Sequence, residues 1–210
     1  MKLTKNKVFV AAFAICLMAL ISVSTLAWFQ ATDEVTNFFQ VSTDGEQKPD
    51  FKLDLFEHKL LEDGTLGKEE VASNTYIHVA PGDVLHKDPT VRNAGQYDQW
   101  VRVKINLYEY KAWEAVLGEG FHFNKYFVNF DEAWVIDERT AGTDTLVFYY
   151  NAKLVAGEKT LPIFEAFEIP VEFTVDNMPG KFKLNIVAEA IQADNTGDNA
   201  KDAFAKYWSN

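Results

Sequence analysis

Two long runs alternate apolar and polar residues with a period of two, and that pattern confines the chain to half-buried β structure. In residues 100–108, Val101, Val103, Ile105 and Leu107 face one way, while Arg102, Lys104 and Asn106 face the other. In residues 181–191, Phe182, Leu184, Ile186, Ala188 and Ala190 oppose Lys183, Asn185 and Glu189. Successive side chains of a strand point to opposite faces, so each run offers one apolar face to a core. Phe51-Lys52-Leu53-Asp54-Leu55 repeats the pattern, and Thr75-Tyr76-Ile77-His78-Val79 is β-branched and aromatic. Residues 145–155 and 167–175 are further strand candidates. Turn signals separate the runs: Glu62-Asp63-Gly64, Pro81-Gly82-Asp83, Asn93-Ala94-Gly95, Ala156-Gly157 and Pro179-Gly180. Six or more short strands joined by such turns predict an all-β fold with minor helices, a jelly-roll-like antiparallel β-sandwich. The helices are expected over 111–117 and 199–208. Asn199 caps the second, with Ala203, Phe204, Tyr207 and Trp208 on one side.

The first 27 residues have a different logic. Lys2, Lys5 and Lys7 form a basic start, and residues 8–23 carry no charge, glycine or proline. Thr25-Leu26-Ala27 then places small residues where a signal peptidase reads them. The expectation is a cleavable signal peptide over 1–27, cut between Ala27 and Trp28. An uncleaved membrane anchor is the alternative, because an apolar stretch carried on to Phe29 reaches the roughly 18–20 residues that spanning needs. Asp33 and Glu34 follow, however, with no basic stop signal.

Export shapes the reading of the remainder. The single cysteine of the chain, Cys16, lies in the leader, so the mature domain forms no disulfide. A cysteine-free exported domain points to a bacterium with a single membrane. Loss of the three leader lysines takes the formal net charge from −11 to −14. Such a surface repels nucleic-acid backbones and anionic lipid, so neither is expected as a partner after cleavage. At 48% hydrophobic and 14% aromatic, the chain has far too much apolar material to stay disordered. The mature part has the length of one domain. We divide it into an N-terminal segment, 28–42, and a β domain, 43–210, ending in a short helix.

Catalytic signatures do not emerge. His58, His78, His86 and His122 show no H-E-x-x-H spacing, which would stack two ligands on one helix face. His78 alternates within its strand run, and His122 sits between two phenylalanines; both read as structural. Ser42, Ser73 and Ser209 lack the flanking glycines of a nucleophile elbow. Gly67-Lys68 and Gly180-Lys181 lack the rest of a phosphate loop, and Gly118-Glu119-Gly120 is too short for a dinucleotide fingerprint. Asp194-Asn195-Thr196-Gly197-Asp198-Asn199 misses the spacing of a calcium loop and reads as a turn and helix cap. No catalytic residue, metal ligand or cofactor is therefore expected, and the chain does not read as an enzyme.

The segment over 28–41 carries the most information. Trp28, Phe29, Val35, Phe38, Phe39 and Val41 are apolar but interrupted by charged and polar residues. Two readings stand: it is the first strand of its own sheet, or it pairs with a neighbouring subunit.

Short motifs in order along the chain add a family reading. Ala27-Trp28-Phe29 with Asp33-Glu34-Val35-Thr36-Asn37 resembles the leaders handled by a SipW-type signal peptidase. Val79-Ala80-Pro81-Gly82-Asp83, Lys87 and Val91-Arg92-Asn93-Ala94-Gly95 resemble the Pro-Gly-Asp turn and following Asn-x-Gly of the TasA/CalY (camelysin) family of biofilm matrix fibre proteins. Trp100-Val101-Arg102-Val103 and Val187-Ala188-Glu189-Ala190-Ile191-Gln192-Ala193 resemble that family's next and last strands; residues 111–144 match nothing in it. The resemblance implies a jelly roll of two antiparallel sheets, located in the extracellular matrix or at the cell surface. It also implies that the N-terminal segment of one subunit completes a sheet of the next, a head-to-tail contact that does not close. The implied partners are further copies of the chain, the signal peptidase and other matrix proteins. The camelysin name carries an alternative, a cell-surface metallopeptidase.

The leader reading predicts that the exported protein begins at Trp28. N-terminal sequencing of secreted material checks this, and a full-length chain retained in the membrane contradicts it.

Overall fold

The computed structural model describes residues 31–32 and 51–207. Its strands are β1 (Ala31–Thr32), β2 (Leu53–Leu60), β3 (Leu66–Val71), β4 (Thr75–Tyr76), β5 (Val84–His86) and β6 (Thr90–Asn93). They continue with β7 (Gln99–Leu107), β8 (Phe127–Val128), β9 (Trp134–Ile136), β10 (Thr145–Tyr150), β11 (Ala166–Glu168) and β12 (Phe182–Gln192). The helices are α1 (Tyr110–Leu117) and α2 (Ala200–Tyr207).

One six-stranded sheet runs β4-β1-β12-β7-β10-β9, and two three-stranded sheets run β5-β11-β8 and β3-β2-β6. The pairings are antiparallel except for β1 beside β12. A single apolar core joins all three sheets. It includes Leu53 and Leu55 of β2, Leu85 of β5, Phe127 of β8 and Phe167 of β11. From the large sheet come Val101, Val103, Ile105, Leu107, Leu184 and Ile186. The fold is all-β and sandwich-like, as the alternating runs lead one to expect. Each large apolar side chain placed in this core contributes roughly 1.5–3 kcal/mol.

The outer face of the large sheet departs from the simple pattern. The alternation predicts that Arg102 and Glu189 meet water, yet both are buried. The helix α2 lies over them. Ala200, Ala203 and Phe204 pack with Trp100, Tyr149, Ile191 and Ala193 in a second apolar cluster. Arg102 donates through Nε to Glu189 at 2.5 Å, and its guanidinium stacks 4.3 Å from the Phe204 ring centre. Lys104 donates to the other Glu189 oxygen at 2.9 Å. Asn199 caps α2 as expected, its side-chain oxygen accepting from the Asp202 N–H at 2.9 Å. Tyr207, expected on the apolar side, is half exposed instead.

Several runs are shorter than their patterns. The run 75–79 stops after Tyr76, because His78 adopts φ 58, a left-handed conformation that ends a strand. His78 therefore does not alternate within a strand. The run 167–175 stops at Glu168, ahead of Pro170, which has no N–H for a ladder. The run 145–155 ends at Tyr150, and Leu154 rejoins the sheet through a bridge to Gln99. The strand β3 (Leu-Gly-Lys-Glu-Glu-Val) has no alternation to announce it. It lies at a sheet edge, where charge deters pairing with another chain.

Among the described residues no helix is long and apolar enough to cross a membrane. The leader, 1–27, the cleavage residues Ala27 and Trp28, and the sequence-selected side chains Phe29, Val35, Phe38, Phe39 and Val41 lie outside the described residues.

Asn93, at the end of β6, ties the turn before β7 to the Leu154 segment that bridges β7. It is fully buried. Its Nδ2 donates to the carbonyls of Tyr97 and Leu154, each at 2.8 Å, and its Oδ1 accepts from the Gly95 N–H at 3.0 Å. Truncation leaves those buried groups unsatisfied. Asn93→Ala should lower stability by about 2–4 kcal/mol in a denaturant titration; a loss below the error of that measurement contradicts the role.

Candidate functional site: a strand slot in the large sheet

Ala31 and Thr32 form a two-residue strand in a slot between β4 and β12. They run antiparallel to β4, with Ala31 opposite Tyr76 and Thr32 opposite Thr75. They run parallel to β12, with Ala31 opposite Phe182 and Thr32 opposite Lys183. Strand edges present rows of backbone N–H and C=O groups, so an extended segment satisfies both sides of the slot at once.

Different forces hold the slot's two walls. The β12 wall belongs to the longest ladder among the described residues and is backed by rings. Phe182 is buried edge-on against Trp113 at 5.0 Å between ring centres. Trp113 in turn meets Phe173 edge-on at 5.0 Å and stacks with Phe121 at 6.0 Å. The helix α1 brings Trp113 into this cluster, where it is completely buried.

The β4 wall is only two residues long, so side chains anchor it. Asn74, just before it, is buried. Its Oδ1 accepts from the Leu60 N–H at 2.7 Å, and its Nδ2 donates to the His58 carbonyl at 2.8 Å. These bonds seat Asn74 at the register shift where β2 departs from β3. Tyr76 is buried, and its hydroxyl donates to the His86 carbonyl at 2.6 Å. The Pro-Gly-Asp turn follows. Gly82 takes φ 85, a left-handed conformation that suits glycine, and Asp83 accepts from the Ala80 N–H at 2.7 Å.

A buried ion pair lies in the same part of the fold. Lys87 donates through Nζ to Glu57 at 2.6 Å, with both side chains almost wholly removed from water. Its neighbour Asp88 accepts from His58 twice, through the backbone N–H at 2.8 Å and through the ring Nδ1. Lys87 was legible as part of a motif, but Glu57 and Asn74 were not singled out. A signal for Glu57 did exist. Leu53, Leu55 and Glu57 share one face of β2, so a carboxylate stands at a core position of the alternation. A charge placed there needs a partner.

The four histidines do not converge. His58 is held by Asp88, and His78 is exposed past the end of β4. The His86 carbonyl accepts from Tyr76. The His122 ring packs against Gly142, 3.2 Å from where a Cβ would stand. Among the described residues, no group of three or more His, Cys, Asp or Glu is placed to hold a metal ion. Compared with protein-family models, with curated proteins and with solved structures, the chain matches none of them.

The anchoring of β4 leads to a local prediction. Asn74→Ala should destabilise the domain by about 1–3 kcal/mol. Hydrogen exchange should rise first at Leu60 and at Thr75–Tyr76, before it rises in β7 and β12. A uniform increase over the whole domain would contradict a local role.

Proposed function

We propose that this chain is a secreted structural protein that assembles into extracellular fibres, each subunit lending its N-terminal segment to the next. The observation that supports the reading is the slot between β4 and β12 and the strand in it, Ala31–Thr32. That strand comes from the part of the sequence that leader removal would release.

The chain connectivity permits exchange. Residues 33–50, eighteen in all, separate Thr32 from Phe51. Fully extended, they reach at most about 60 Å. The same strand can therefore enter its own sheet or that of a second copy, with the same backbone partners in either place. Swapping an identical element between subunits conserves its contacts, and repeating the swap head to tail gives an open filament. The resemblance to TasA/CalY fibre proteins points the same way, and so does the interrupted apolar pattern of Trp28, Phe29, Val35, Phe38, Phe39 and Val41.

Leader removal times the process in this reading. Before cleavage the leader tethers the segment at the membrane; after cleavage the segment is released outside the cell. The partners are other copies of the chain, a SipW-type signal peptidase and other matrix proteins. No cofactor takes part.

Three mature proteins test the proposal: the full mature chain, Phe38→Asp with Phe39→Asp, and a chain starting at Thr43. Circular dichroism and electron microscopy are read together. The full chain should form filaments. The double variant should not, because each charge placed in an apolar pocket costs several kcal/mol. The truncated chain should keep its β spectrum and remain unpolymerised. Normal filaments from the truncated chain would contradict exchange. Collapse of its fold would show the segment to be an obligatory strand of its own subunit.

A further inference from the structure

Outside the slot, the described residues form a cleft of about 660 Å³ at the end of the large sheet. One wall is the chain leaving β7 and entering α1, from Asn106 to Lys111; the other is Gly142-Thr143-Asp144, just before β10. Its volume lies in the range of small-ligand sites. The assembly described above makes no use of it.

The cleft is firmly built. Tyr110 is buried beneath it, and its hydroxyl lies 2.7 Å from the Phe121 carbonyl and 2.8 Å from that of Gly142. Burial pushes the Tyr110 phenol above its ordinary value, so it remains a donor at neutral pH. The Leu107 N–H donates to the Asp144 carbonyl at 2.8 Å. Asn106 adds bonds to that carbonyl at 3.1 Å and to the Thr145 hydroxyl at 2.6 Å. The two walls are thereby tied together, so a ligand meets a preformed surface and little ordering remains.

Two features of the wall are unusual for a mere loop. Tyr108, the residue after β7, holds its ring half exposed, with the Lys183 ammonium 5.4 Å from the ring centre. Glu109 adopts φ 66 and ψ 16, a left-handed conformation disfavoured for a residue with a long side chain. It does so at the start of α1 while giving no side-chain cap, although its carbonyl accepts from the Ala112 and Trp113 N–H groups. Strain of this kind, held by surrounding structure, collects at binding sites.

The chemistry of the lining selects the ligand. An exposed aromatic ring suits a flat apolar surface that has a polar rim. Glu109 and Asp144 line the cleft as carboxylate acceptors, Lys111 lines it while paired with Glu114 at 2.6 Å, and Lys183 stands at its margin beside the Tyr108 ring. Carboxylates outnumber the ammonium groups here, which disfavours a phosphate and offers acceptors to a ligand rich in hydroxyl donors. A pyranose sugar has these properties: one face of its ring is C–H groups, and its edge is hydroxyls that both donate and accept. We propose that this cleft binds one or more units of a neutral polysaccharide, with Tyr108 as the stacking platform and Glu109 and Asp144 as hydroxyl acceptors.

The test is a neutral-glycan array followed by titration calorimetry with the best tetrasaccharide, using the mature chain. Saturable binding is expected. Tyr108→Ala should weaken it at least tenfold, whereas Tyr108→Phe, which keeps the ring, should stay within threefold of wild type. Asp144→Asn should weaken it severalfold. Tyr207→Ala removes a half-exposed ring on another face and should leave binding unchanged. Circular dichroism confirms that each variant is folded. The proposal is overturned if no array glycan binds, if Tyr108→Ala binds as wild type, or if an oligolysine probe occupies the cleft in place of sugar.

Discussion

The ladder between β7 and β12 carries the structure. Nine consecutive residue pairs, from Leu107 with Leu184 to Gln99 with Gln192, lock the two alternating runs in antiparallel register. Because side chains alternate, a slip of one residue would turn Val101, Val103, Ile105 and Leu107 out of the core and Arg102 and Lys104 into it. The register is therefore set by the sequence on both strands. Both faces of the sheet depend on it: the inner face meets the two small sheets, and the outer face accepts α2 through Trp100, Ile191 and the Arg102–Glu189 pair.

The slot is a consequence of this arrangement. On one side β7 is followed by β10 and then β9, so the sheet is extended by the chain that continues from β7. On the other side β12 is near the end of the described chain, and the nearest regular neighbour is the two-residue β4. A long, well-anchored edge thus faces a short one, with room for one strand between them. A segment from far away in sequence occupies that position. Nothing in backbone pairing distinguishes a segment of the same chain from one supplied by a second copy, which is why we read assembly from this feature.

The sequence was most informative where alternation was strong. The two long runs became β7 and β12 almost residue for residue, and Phe51 to Leu55 led into β2. Asn199 acted as the cap assigned to it. Where runs were short, tertiary context decided. The left-handed turn at His78 drew the chain away after Tyr76, Pro170 stands just past the end of the strand at Glu168, and the charged β3 pairs with β2 alone. The site was less legible than the fold. The N-terminal segment stood out by its apolar residues, but Asn74, which anchors β4, looks in sequence like any loop asparagine. Glu57 was visible only as a charge on the apolar face of β2, and Lys87 gave no sign of being its partner until the fold placed them together. The cleft beside Tyr108 is built from two loops distant in sequence, so no local pattern could have announced it.

Disulfide trapping tests the central claim most directly, because Cys16 is the single cysteine of the sequence and a chain starting at Trp28 has none. Thr32 and Lys183 are backbone neighbours across the slot. Adjacent strands lie about 4.8 Å apart, within the Cα separation that a disulfide spans. Two differently tagged mature variants, Thr32→Cys and Lys183→Cys, are mixed under conditions that give filaments and then oxidised. Exchange predicts a covalent dimer carrying both tags, and a covalent ladder of higher species from a chain bearing both substitutions. Filaments accompanied by disulfides formed only within single chains, with no mixed dimer, would contradict the account.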